Sequence, residues 1–182
     1  MTTEVIFAGF GGQGLMVSGQ LLAYACMKDG KAVTWLPSYG PEMRGGTANC
    51  TVVVSDEQVG SPIIVNPESA VVMNRPSLEK FAPSIKKNGL LIVNSSLIDI
   101  TGNRSDLNEF RIKANDIAIS YDSPKSANMV VLGAFINKTK LIKPDLMTEL
   151  IKEFFASKPK FIDANVKCFL RGYELSEKNS EI

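Results

Sequence analysis

The chain contains no histidine. A Ser-His-Asp triad, a Cys-His nucleophile pair and an imidazole-ligated metal all need that ring, so all three are excluded. Cysteine is scarce as well. Cys26, Cys50 and Cys168 are the only three, and none forms a C-x-x-C pair. A zinc knuckle or a four-cysteine iron–sulfur site is therefore not expected within this chain. Each cysteine sits among apolar neighbours and reads as core filling. Charge of one sign is missing too: 20 Lys and Arg face 19 Asp and Glu, for a net charge of +1. That leaves no electrostatic footprint for nucleic acid or an anionic membrane. No apolar run approaches the ~20 residues that a membrane span needs. The start, Met-Thr-Thr-Glu, has no basic stretch leading into an apolar one. With an odd number of thiols, this gives the expectation of a cytoplasmic chain with reduced cysteines.

No repeat, low-complexity segment or linker divides the sequence, so a single domain is expected over residues 1–182. Hydrophobic content of 45% and charged content of 21% are those of an ordinary globular protein with a full core. Strands are expected at 4–9, 32–36, 47–55, 59–65, 70–73 and 90–94, with one or two more between Phe110 and Ser120. Helices are expected at 13–28, from a Ser77 cap to about Ile85, at 126–139, at 144–156, and from Asp163 or Asn165 to about Glu177. Residues 37–46 and 99–109 read as loops, and the polar tail after Glu177 as frayed. Alternating strands and helices, with several strands continuously apolar, predict a three-layer α/β/α domain. Its sheet should be largely parallel but mixed, and its first unit Rossmann-like. The stretch 47–65 has no helix within it, so part of the sheet is expected to be antiparallel.

Two glycine-rich segments carry the chemistry. The first strand runs into Gly9-Phe10-Gly11-Gly12-Gln13-Gly14 and then a helix. Such a turn lets the backbone approach a ligand, and the helix start offers unpaired N–H groups and a positive dipole end to an anion. Read alone, the spacing suggests a dinucleotide site. Yet no acid ends the second strand to hold a ribose: Ala32-Val33-Thr34-Trp35-Leu36 is followed by Pro37 and Ser38. The same glycines also suit mere tight packing of strand on helix. The second segment is Ser38-Tyr39-Gly40-Pro41-Glu42-Met43-Arg44-Gly45-Gly46. It follows the second strand and should lie at the carboxyl edge of the sheet beside the first loop, where open α/β sheets bind ligands. An ordinary surface loop is the plain alternative.

Together these segments, continued through Thr47-Ala48-Asn49-Cys50, resemble the gamma subunit of 2-oxoacid:ferredoxin (acceptor) oxidoreductases. The resemblance extends through Val59-Gly60-Ser61-Pro62, Ala127-Asn128-Met129-Val130-Val131-Leu132-Gly133-Ala134, Asn165-Val166-Lys167 and Gly172-Tyr173-Glu174, nearly the whole chain. Lys167-Cys168-Phe169-Leu170 departs from the pattern, in a way that reads as helix packing. The resemblance implies a subunit that is inactive alone. Its partners would be alpha and beta subunits and, where present, a ferredoxin-like delta subunit. Thiamine diphosphate would lie between alpha and beta, and the iron–sulfur clusters in beta and delta. The assembled enzyme would convert a 2-oxoacid to an acyl-CoA and pass electrons to ferredoxin. This chain would help form the coenzyme A side of the active site and bind no cofactor by itself. The wording of the second loop resembles 2-oxoglutarate and branched-chain enzymes more than pyruvate enzymes.

The candidate contact residues are Gly9, Gly11, Gly12, Gln13, Gly14, Ser38, Tyr39, Arg44, Gly45 and Gly46. Arg44 is read as a cation for coenzyme A phosphates, or else as a partner of Glu42 or of another subunit. An apolar patch near the two loops, and a homodimer of the isolated chain, are also expected. The competing readings are a stand-alone nucleotide-dependent dehydrogenase and a non-catalytic interaction protein on the same fold.

Overall fold

The computed structural model describes residues 2–39 and 47–177. The expectations for Glu42, Arg44, Gly45 and Gly46, and for the tail beyond Glu177, fall outside them. Six strands form one sheet: β1 (Thr2–Phe10), β2 (Ala32–Tyr39), β3 (Thr47–Ser55), β4 (Ser69–Val72), β5 (Leu90–Asn94) and β6 (Asn108–Ile112). The helices are α1 (Leu15–Lys28), α2 (Arg75–Phe81), α3 (Ala114–Ser120), α4 (Ala127–Thr139), α5 (Pro144–Phe154) and α6 (Ile162–Glu177). The strand order is β2-β3-β1-β4-β5-β6. β1, β4, β5 and β6 run parallel, while β3 lies antiparallel between β1 and β2. The mixed α/β sheet is thus as expected, and the antiparallel part is β3 itself. Because β3 is inserted, the first β-α-β unit is a split one, its two strands sharing a direction without touching.

The two faces of the sheet are covered unequally. Val5, Phe7, Cys50, Val52, Val71 and Ile92 point into the larger core beneath α1, α3, α4, α5 and α6. Phe7 meets Phe135 of α4 edge to face, with ring centroids 5.8 Å apart. On the other face Ala70, Val72, Leu91 and Val93 pack with Leu78 of α2, Ala82 of the short 3₁₀ turn Ala82–Ser84, Ile85 and Ile98, with Ile100 and Leu107 against them. Helices therefore lie on both sides, but the second layer is thin.

Local corrections have physical causes. Residues 59–65 form no strand. β1 already pairs on both edges, with β3 and β4, and Pro62 lacks an N–H for a ladder. Ile117-Ala118-Ile119-Ser120 is the end of α3, not a strand. Its apolar run is short, and periodicity alone does not separate a helix from a strand there. Asn74, not Ser77, caps α2: its Oδ1 accepts the Ser77 N–H at 2.9 Å. β2 continues through Pro37 to Tyr39, because on an edge strand the missing N–H costs no ladder bond. β6 begins at Asn108, inside the stretch read as loop.

All three thiols are buried. Burial pushes Cys26 and Cys50 up from 9.0 to about 12, and Cys168 to about 11. The folded chain therefore holds these protons more tightly than the unfolded one. Each thiol contributes stability that is complete below about pH 9 and is lost as pH rises toward 11–12. A thiol reagent at pH 8 is expected to titrate no cysteine in the native chain and all three in denaturant. Rapid labelling of the native chain would contradict the buried placement.

Candidate ligand-binding site

The residue after each strand decides where ligands can go. After β1 the chain leaves toward α1 on the thick face; after β4 it leaves toward α2 on the thin face. β1 and β4 are neighbours, so their carboxyl ends flank a crevice of the kind at which open α/β sheets bind ligands. The glycine loop occupies one lip. Met73 and Asn74 form the other.

Gln13 spans the two lips. Its Oε1 accepts the Phe10 N–H at 2.6 Å, and its Nε2 donates to the Met73 carbonyl at 3.3 Å. Gln13 N also donates to the Phe10 carbonyl, at 3.2 Å. The side chain proposed as a ligand contact thus closes the turn and ties it to β4. Gly9 is glycine for packing: a Cβ there would run into Gln13 Oε1 and reach within 2.9 Å of Met73 Cβ. Gly12, at φ +94°, is open on all sides, and Gly14, at φ +76°, caps α1 in the left-handed region.

A residue far along the chain holds the helix start, a role that no local sequence pattern marks. Asn128 opens α4, is buried, and donates from Nδ2 to the Gly14 carbonyl at 3.1 Å and to Ser18 Oγ at 3.3 Å. A Cβ on Gly14 would lie 2.6 Å from its amide. Among the described residues, the N–H groups of Gly11, Gly12, Leu15, Met16 and Val17 have no hydrogen-bond partner. With the positive end of a 14-residue helix behind them, they present a surface suited to an anion.

Ser38 and Tyr39 end β2. Tyr39 pairs with Ala48, which pairs with Gly9, so the two strand ends that flank residues 40–46 stand level with the glycine loop. The structure thus brings Gly9, Gly11, Gly12, Gln13, Gly14, Ser38 and the Tyr39 backbone to one edge of the sheet. Phe10 and Leu36 are exposed in the same region, but the most exposed large apolar residues, Ile63 and Val65, lie elsewhere along the chain. No group of three metal-ligating side chains occurs among the described residues, and no helix there is long and apolar enough to cross a membrane.

Asn128→Ala removes two hydrogen bonds, one buried and one part-buried, and leaves the Gly14 carbonyl with the Ser18 N–H as its donor. It is expected to cost about 1–3 kcal/mol, read as a fall in melting temperature of roughly 2–4 °C per kcal/mol. An unchanged melting temperature would remove Asn128 from the account of the loop.

Fold and loop together define an open-sheet α/β domain with a glycine-lined crevice at the switch point of its sheet. Its relatives place it further. Residues 4–175 match the family described as Pyruvate ferredoxin/flavodoxin oxidoreductase, and the chain belongs to that family. It is 37% identical over 180 residues to ketoisovalerate oxidoreductase subunit VorA of Methanothermobacter thermautotrophicus, an alignment covering 98% of this chain and 37% of that one. It is 31% identical over 182 residues to 2-oxoglutarate synthase subunit KorC of Methanocaldococcus jannaschii, covering 98% and 96%. Among solved structures it is similar to the gamma subunit of a keto/oxoacid ferredoxin oxidoreductase from Geobacter sulfurreducens. The TM-score there is 0.82 at 26% identity, with 97% and 99% of the two chains covered. The chain thus spans 37% of the length of VorA but nearly all of KorC.

Proposed function

We propose that this chain is the gamma component of a cytoplasmic 2-oxoacid:ferredoxin oxidoreductase, working with alpha and beta subunits and, where present, a ferredoxin-like delta subunit. The observation that carries the reading is the near end-to-end match to KorC, 96% of that subunit, joined to an anion-ready glycine loop at the switch point. The assembled enzyme would oxidatively decarboxylate a 2-oxoacid, capture the acyl group as a thioester of coenzyme A, and deliver two electrons to ferredoxin. Thiamine diphosphate and the iron–sulfur clusters would belong to the partner subunits, and coenzyme A would approach from this chain. Three isolated buried thiols and the absence of histidine agree with a supporting role. This chain's own part is to fix an anion-binding surface: Gln13 shapes the loop, Asn128 fixes the helix start, and the free N–H groups face the phosphates. The relatives include subunits of ketoisovalerate, 2-oxoglutarate and pyruvate enzymes. 2-Oxoglutarate is our first choice and a branched-chain 2-oxoacid the second, with the choice made in the partner subunits. Without partners, the exposed Phe10 and Leu36 favour a homodimer.

Co-expression with the candidate alpha and beta chains tests this reading. The co-purified assembly should reduce ferredoxin in a reaction dependent on coenzyme A and on 2-oxoglutarate or 3-methyl-2-oxobutanoate. The chain alone should show no turnover. An alpha–beta assembly that is equally active without this chain would sink the reading, as would redox turnover by the chain alone.

A further inference from the structure

On the thick face, α1 and α5 part to leave a groove of about 490 Å³. Leu21 and Leu150, both buried, form its floor. Tyr24, Met27 and Phe154 stand around it at 51%, 57% and 36% exposure. Three large apolar side chains left in water beside an apolar recess mark a surface made for contact. The groove runs along the second half of α1. Tyr24 lies ten residues beyond Gly14, roughly 15 Å along the helix axis from the glycine loop. Lys28 and Glu153 complete the lining and bridge the two helices, Nζ to Oε2 at 2.7 Å. Both side chains are largely exposed, so the bridge adds little to the stability of the fold. The lining therefore holds one cation, one anion and no net charge.

We propose that a second copy of this chain docks in the groove, across a twofold axis. A twofold interface sets one patch against itself, so the patch has to complement itself in shape and in charge. This groove does both. It offers a recess to receive and side chains to insert, with Met27 and Phe154 of one protomer set against Leu21 and Leu150 of its partner. It also carries one charge of each sign. Lys28 of one protomer meets Glu153 of its partner, and the reverse, so no like charges oppose each other. A partner of a single charge sign would find nothing here to complement. Methionine suits the seam, because its unbranched side chain adapts to an irregular recess. Docking here leaves the glycine loop free. It is also separate from Phe10 and Leu36, which belong to β1 and β2. On the reading under Proposed function, the contact would join two assemblies through their gamma components; the docking itself does not depend on that reading.

Sedimentation velocity of the purified 182-residue chain tests the assignment. A dimer that dissociates on dilution is expected. Met27→Asp, at an exposed position, should weaken it about tenfold or more by placing a carboxylate in the seam. Leu36→Asp should leave it in place. Lys28→Glu and Glu153→Lys should each weaken self-association, because each sets like charges against each other across the axis. Mixed one to one, these two variants should pair about as tightly as the parent chain does with itself. Each variant has lost its internal bridge, so only a contact between chains can restore the affinity. Circular dichroism of each variant guards against misfolding. A parent chain that stays monomeric at every concentration overturns the assignment. So do charge variants that self-associate as well as the parent, a mixture of them that fails to pair, or a dimer that Leu36→Asp dissolves and Met27→Asp leaves whole.

Discussion

Gly172→Ala is expected to lower the melting temperature by roughly 6–12 °C, the equivalent of about 3 kcal/mol or more of overpacking. α4 and α6 cross with almost no separation at this point. A Cβ on Gly172 would run into the Val130 carbonyl, and a Cβ on Gly133 into the Phe169 carbonyl. The obstacle in both cases is backbone on the opposite helix, so no rotamer change relieves it and the helices must part. Parting them loosens Phe135 and Phe169, both fully buried. Gly133→Ala should cost a similar amount. The double variant should cost less than the sum, since one separation accommodates both methyl groups. Gly60, where a Cβ meets nothing within 4 Å, is the control, and its alanine variant should shift the melting temperature by less than ~2 °C. A Gly172→Ala chain that melts like the parent would mean that the helices do not cross this closely.

Those glycines show what a single sequence can and cannot reveal. The apolar strands β1, β3, β4 and β5 and the glycine turn after β1 were legible, because burial on both faces and a forced backbone turn leave direct traces in residue type. Gly133 and Gly172 stood out only as parts of a resemblance. Their reason lies in a contact between residues far apart in the chain, which no local pattern encodes. The same holds for Asn128 and Gly14, which meet across 114 positions, and for Asn165, whose Oδ1 accepts from Ser126 Oγ at 2.9 Å. Amides that serve tertiary contacts look like any other amide in a sequence. The errors have a common origin too. The apolar residues of 59–65 and 117–119 suggest strands by composition, and composition is silent on which strand edges are already taken. Ile63, Val65 and Ile119 end up exposed because the sheet had no place for them. At the site, the glycines were legible as a turn. That Gln13 is spent on closing the turn became visible only when Met73 was placed beside it.

The largest functional effect is expected at Arg44. This residue belongs to the segment whose two flanking strand ends, Tyr39 and Thr47, stand level with Gly9 and Phe10. On our reading it adds a permanent cation to a surface that already offers the free N–H groups of Gly11 and Gly12 and the positive end of α1. A guanidinium suits forked contacts with phosphate oxygens, and Gly45 and Gly46 would let those oxygens come close. In the assembled oxidoreductase, Arg44→Ala should raise the KM for coenzyme A by about 10- to 150-fold, equivalent to roughly 1.5–3 kcal/mol for a lost charged hydrogen bond. The KM for the 2-oxoacid should barely move, because on the reading proposed above that substrate reacts in the partner subunits. Arg44→Lys should recover only part of the loss, keeping the charge without the fork. The competing role, an ion pair with Glu42 or with a neighbouring subunit, predicts a different pattern: weaker assembly or lower stability, with coenzyme A KM unchanged in whatever complex forms. Gel filtration of the variant complex beside its two KM values therefore separates the roles. A fully assembled Arg44→Ala enzyme with its coenzyme A KM intact removes Arg44 from the ligand site and leaves the glycine loop to hold the phosphates through its backbone alone.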